Sequence, residues 1–309
     1  MNIAITQTLA FRTAIALYFS LTLESCCPQP QMSYEWTANI NGEQRRALIW
    51  KPNNSCNKAP VVVYLHGRGG NAEDSQDKRK FHELWKSAFV VYAEGTNFDG
   101  SDNGAKGWEC RFPHIYASCN LKKDVNYIKA LFDHLSIYDQ IDPARFFICG
   151  HSSGGFFTLA LSSLMPQHFR AFAALGCYSS FGPVTPNCGN TYADGMNLQD
   201  LQNTQIVFNP APVLYLFGDQ ENTIKPNQQA FQPDCNTFSY CQNTVIQLCL
   251  KNGSELPDCP ATGYMNIFQR QVFPPAVPGA AETQFQLYHG GHGWPNAANQ
   301  WVIDYFKSL

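Results

Sequence analysis

The chain has 309 residues, 44% of them hydrophobic and only 15% charged, which suits a folded protein with a large core and excludes a disordered one. Its net charge of −3 comes without any lysine- or arginine-rich run, so nothing points to nucleic acid or to an anionic membrane surface as a partner.

The first segment stands apart from the rest. Thr13 to Leu23 is apolar and follows Arg12; it is too short to cross a bilayer and long enough for the core of a signal peptide. Residues 1–25 are expected to be a signal peptide and residues 26–309 one domain; the competing outcome is a hydrophobic helix that packs on that domain. The Leu-Glu-Ser-Cys run before Cys26 resembles a lipoprotein cleavage box, which makes Cys26 a candidate lipid anchor. The 12 cysteines point outward as well, because an oxidising compartment turns them into staples. The expected location is therefore secreted, periplasmic or cell-envelope. No CxxC-type pair suggests zinc, and no metal is expected. Cys110 and Cys119 are expected to pair locally, and Cys235, Cys241, Cys249 and Cys259 to form two bridges. Cys149, inside an apolar run, is expected to be a buried free thiol.

Tyr34 to Pro52 reads as a hairpin turning at Asn41-Gly42, with Pro52 ending its second strand. Six apolar, β-branched or aromatic runs follow: Val61–Leu65, Phe89–Gly95, Phe146–Gly150, Ala171–Gly176, Val213–Gly218 and the run from Phe285 to Gly291. Such continuous runs suit strands buried on both faces. Helical periodicity separates them: Val125, Ile128, Leu131, Phe132 and Leu135 share one face, as do Phe156, Leu159, Ala160 and Leu164, and a similar pattern closes the chain. Strands alternating with helices predict an α/β fold, a mostly parallel central sheet with helices on both faces. Ligand sites in such sheets lie beyond the carboxyl ends of the strands.

The residues at those ends are unusual. Gly150-His151-Ser152-Ser153-Gly154 matches G-x-S-x-G between a strand and a helix. Glycines allow a tight turn that holds the central serine in a strained conformation at a helix N-terminus, where amide N–H groups favour developing negative charge. Ser152 is the candidate nucleophile; a plain N-cap serine is the structural alternative. A serine needs a base and an orienting acid. His292 is the candidate base, in a glycine-rich loop after the last strand, with His289 the more peripheral ring. Asp219 and Glu221, after Val213–Gly218, are both candidate acids. An oxyanion hole needs two backbone donors, expected from Ser153 and from Arg68 in His66–Gly70. Trp108, Trp294 and His151 are candidates to line a substrate cleft, packing being the alternative for the two indoles.

The runs from Val61 to Asp74, Asp124 to Gly155 and Gly290 to Pro295 together resemble secreted esterases related to poly(3-hydroxybutyrate) depolymerases, feruloyl esterases and the LpqC lipoprotein. The resemblance spans Tyr34 to the C-terminus. It implies an α/β-hydrolase fold, ester hydrolysis without a cofactor, Ser152 as nucleophile and His292 as base. It places the acid three residues after Gly218, at Glu221, where that group usually carries aspartate; Asp219 remains the rival. The expected function is a serine carboxylic ester hydrolase acting on small or polymer-derived esters of feruloyl, acetyl or hydroxyalkanoate type. A peptidase of the same fold and an inactive surface-binding module are the competing readings.

Overall fold

The computed structural model describes residues 31–52, 58–97, 104–108, 121–178, 210–221, 223, 240–255 and 270–309. Residues 1–25, Cys26, Cys110, Cys119, Cys235 and Cys259 lie outside them, as does the side chain of Cys241.

The chain opens with β1 (Met32–Ile40) and β2 (Glu43–Lys51), paired antiparallel. Asn41 and Gly42 join them at φ 55° and 87°, the left-handed pair that a two-residue hairpin requires. Then come β3 (Ala59–Leu65), α1 (Ala72–Arg79), α2 (Phe81–Leu84) and β4 (Phe89–Ala93). A two-stranded ribbon follows, β5 (Thr96–Asn97) with β6 (Lys106–Gly107). After it lie α3 (Leu121–Ser136), β7 (Ile141–His151), α4 (Ser153–Leu164), β8 (Ala171–Leu175), β9 (Val213–Gly218) and α5 (Tyr240–Asn252). β10 (Arg270–Phe273), β11 (Thr283–Tyr288) and α6 (Asn296–Lys307) close the chain.

Among the described residues the other nine strands form one sheet in the order β1-β2-β4-β3-β7-β8-β9-β11-β10, apart from the β5-β6 ribbon. The six strands from β4 to β11 in that order are mutually parallel, and the two ends are antiparallel. All six expected buried runs are these strands. Their side chains alternate between two cores. Val61, Val63 and Leu65 pack with Leu131 and Leu135 of α3, Phe157 of α4 and Leu248 of α5. Val62 and Tyr64 pack with Phe81 of α2 and Val302, Ile303 and Phe306 of α6. Both faces are thus covered, as an α/β-hydrolase fold requires.

Two elements carry no apolar period. Helix α1 is polar apart from the buried Ala72; it is started by Asn71, whose side chain accepts the Asp74 N–H at 2.7 Å. Strand β10 is a short edge strand that buries only Phe273 and exposes Val272.

The cysteine expectation needs one correction. Cys149 is a buried free thiol, as expected, but so is Cys249. It sits on the face of α5 that packs with Val245 and Leu248 into the core beside Thr283. With Cys249 free, the expected two bridges among those four do not both form; the other three lie outside the described residues or side chains.

Candidate active site

The nucleophile turn joins β7 to α4. Ser152 has φ 53° and ψ −119°, a conformation that costs a non-glycine residue about 1–3 kcal/mol. Its N–H donates to Leu175 O at 2.9 Å, which ties the turn to β8. The two flanking glycines are there for space. A methyl group on Gly150 would collide with Gly154 O, and one on Gly154 with Leu65 O. Only this spacing lets α4 begin against the end of β3.

His292 comes from the loop after β11. Its Nε2 lies 2.7 Å from Ser152 Oγ, and its Nδ1 lies 2.6 Å from Glu221 Oε2. A carboxylate only accepts, so Nδ1 carries the proton and Nε2 is left to accept from the serine hydroxyl. Glu221 is fully buried, and its other oxygen accepts the Thr223 N–H at 2.7 Å. Asp219 does different work. Its Oδ2 lies 3.0 Å from His289 Nδ1 and its Oδ1 accepts the Gly290 N–H at 2.9 Å. Side-chain reach explains the split. Asp219 follows β9 immediately and meets His289 and the Gly290 N–H, whereas Glu221, two residues on, reaches Nδ1 of the His292 ring.

The loop after β3 flanks the serine: a methyl on Gly67 would lie 3.3 Å from Ser152 Cβ. Arg68 is exposed on that loop, and Ser153 is buried in the first turn of α4. Four hydrogen bonds clamp the loop. His66 Nδ1 donates to Gly67 O at 2.7 Å, while its Nε2 accepts the Gly95 N–H at 2.9 Å. These partners assign one tautomer, and burial keeps the ring neutral by lowering its pKa. Gly69 N–H donates to Lys106 O at 2.7 Å. Trp108 Nε1 donates to His66 O at 2.8 Å. In the sequence His66 stands only as part of a glycine-rich run; its hydrogen bond with Gly95, just beyond β4, joins two segments 29 residues apart, and no local pattern reveals it.

Two cleft assignments are corrected. Trp108 is fully buried and stacks on Phe157, with centroids 5.5 Å apart. Trp294 is 8% exposed, edge-on to Tyr64, and donates to Asn299 Oδ1 at 2.8 Å. Both indoles meet apolar partners on the two faces of the sheet, so neither lines a cleft. His151 turns toward the protein, with Nε2 2.6 Å from His292 O. Among the described residues no group of three or more His, Cys, Asp or Glu is placed to hold a metal ion.

A serine, an imidazole and a buried carboxylate linked in series beyond the ends of β7, β11 and β9 can deliver an activated hydroxyl to a carbonyl carbon. Comparison with known proteins agrees with this chemistry. The NocK protein of Nocardia uniformis subsp. tsuyamanensis is 22% identical over 263 residues, 76% of this chain and 65% of that one. Feruloyl esterase B of Neurospora crassa is 25% identical over 203 residues, 60% of this chain and 63% of that one. The chain therefore spans less than two thirds of either relative. The acetyl xylan esterase from Aspergillus awamori shares the fold, with a TM-score of 0.57 and 16% identity over 89% of this chain and 100% of that one. A profile of the family described as acetyl xylan esterase (AXE1) matches residues 29–193, which include β3, its loop and the nucleophile turn. That match covers more than half of the sequence, and the chain belongs to the acetyl xylan esterase (AXE1) family.

Proposed function

We propose that this protein is a serine carboxylic ester hydrolase working through an acyl-enzyme, with Ser152 as nucleophile, His292 as general base and Glu221 as the orienting acid. The observation that carries the reading is the continuous relay from Glu221 through His292 to Ser152, at 2.6 and 2.7 Å. Ser152 Oγ attacks the acyl carbon while its proton passes to His292 Nε2. Glu221 stabilises the imidazolium. The oxyanion is received by backbone N–H groups of Ser153 and of the Gly67–Arg68 stretch. Collapse expels the alcohol, which takes the proton from Nε2. Water then attacks the acyl-enzyme by the same route, releasing the acid and restoring the serine.

Family membership and the names of the relatives support an acetyl or feruloyl ester of a plant polysaccharide as substrate. The test is a panel of p-nitrophenyl acetate, acetylated xylan, methyl ferulate and poly(3-hydroxybutyrate) film, with a dipeptidyl p-nitroanilide as the peptidase arm. Acetyl-ester turnover, lost by about 10⁴-fold or more in Ser152→Ala, is expected. Cleavage of the anilide alone overturns the ester reading, and turnover that survives Ser152→Ala overturns the nucleophile. Export is part of the same proposal, supported by the leader and the cysteine count. N-terminal sequencing of secreted protein should find a start near residue 26, and an intact leader on protein held in the cytosol would count against it.

A further inference from the structure

The residue between Gly150 and Ser152 has a task that its place in the motif does not reveal. His151 ends β7, and its ring is enclosed by the loops on either side. A methyl group on Gly67 would lie 3.2 Å from its Nδ1, and one on Gly176 would lie 3.4 Å from its Cδ2. Trp294 stands edge-on to it at 6.1 Å. Its Nε2 lies 2.6 Å from the main-chain carbonyl of His292, and a carbonyl only accepts, so Nε2 carries the ring's proton. A neutral imidazole has one N–H, and His151 spends it inside the protein. Burial holds it in that form, with its pKa pushed down to about 4. It therefore has no donor left for a substrate.

The carbonyl it holds belongs to the base. Among the described residues no backbone–backbone hydrogen bond engages the His292 peptide. The neighbouring carbonyls of Gly291 and Gly293 are held instead by Tyr288 Oη, 3.1 Å from each. We propose that His151 is a positioning residue that latches the main chain of His292 to the nucleophile turn, so that base and nucleophile move as one unit. The 2.7 Å approach of Nε2 to Oγ otherwise depends on two loops from strands separated by β8 and β9. A latch one residue from the serine shortens that path to a single side chain. Displacement of the base by about 1 Å costs as much as 10²-fold in rate, which gives such a latch its value.

This inference rests on the ester-hydrolase reading, and the experiment separates the two. His151→Phe keeps the ring and removes the N–H; His151→Gln returns an amide N–H at a similar reach. Each is assayed with p-nitrophenyl acetate beside wild type and Ser152→Ala. The phenylalanine chain is expected to lose about tenfold or more in kcat with KM within about twofold, and the glutamine chain to recover to within about threefold of wild type. A kcat for His151→Phe within about twofold of wild type, or equal losses in both variants, overturns the latch. Should His151→Phe fail to fold, the glutamine chain and the wild-type spectrum decide. In the full chain labelled with ¹⁵N-histidine, the latch requires His151 as the Nε2–H tautomer at neutral pH, and an Nδ1–H tautomer overturns it. If wild type turns over no ester, the functional reading fails and the tautomer alone decides the latch.

Discussion

Two carboxylates follow β9, and the distance from each to the imidazole separates their roles. Glu221→Gln preserves shape and removes the charge that holds the Nδ1–H of His292. It should lower turnover by up to about 10⁴-fold, whereas Asp219→Asn keeps an acceptor for the Gly290 N–H and should cost far less. Steady-state rates on p-nitrophenyl acetate check this, and the reverse order would return Asp219 to the role of acid. Trp108 permits a second test at this scale. As a rim residue its loss would change KM and leave stability untouched. As the buried donor to His66 O, Trp108→Phe should lower stability by about 1–3 kcal/mol and reduce kcat more than it alters KM. Urea denaturation and steady-state kinetics measure the two effects, and an unchanged urea midpoint would remove the clamp from the account.

At the scale of elements, helix α5 carries an unusual burden. Its Lys251 is only 2% exposed, with Nζ 3.3 Å from Asn252 Oδ1, and burial pushes its pKa from 10.5 down to about 7. Below pH 7 the ammonium is charged in both folded and unfolded chains, and the folded state bears the full desolvation cost. Between 7 and 10.5 the folded chain has shed the proton and the unfolded chain still holds it, so the cost fades as pH rises. Lys251→Met should therefore stabilise the protein by about 1–3 kcal/mol near pH 6, with the gain shrinking toward pH 10. Urea midpoints at the two pH values test this; a destabilised variant would mean that the ammonium holds α5 in place. Helix α3 shows the paired solution. Arg45 of β2 and Asp124 are both fully buried at 2.7 Å, and the guanidinium lies 4.1 Å above the Tyr127 ring.

For the whole molecule, acid is the weak side. Burial lowers the pKa values of His66, His82, His134 and His151, the last from 6.5 to about 4. As pH falls below 6.5 the unfolded chain binds protons on these rings and the folded chain does not, so stability is lost with acidification down to about pH 4. His151 alone accounts for about 3 kcal/mol across that window. Urea unfolding should show a falling midpoint from about pH 7 to about pH 4.5, with a shallower fall in His151→Gln. A flat profile would show that these rings titrate freely in the folded chain.

Reading the chain alone determined the six parallel strands, three of the helices that follow them, the hairpin at Asn41-Gly42, and Ser152 and His292 as candidate nucleophile and base; it did not determine the order of the strands within the sheet, nor α1, α2 and α5. The features it determined write themselves locally, through apolar runs, helical spacing, and glycines set where any side chain would collide. It left Glu221 and Asp219 as rivals, because both lie in one short loop and only the distance to a ring from another strand divides them. It left Trp108 and Trp294 open between cleft and packing, because an aromatic ring near a motif looks the same whether it faces substrate or core. It also paired Cys249, because spacing does not say which face of a helix turns inward. Tertiary structure decided all of these through contacts between residues far apart in the chain: Trp108 with His66, Cys249 beside Thr283, and His151 with a carbonyl 141 residues away.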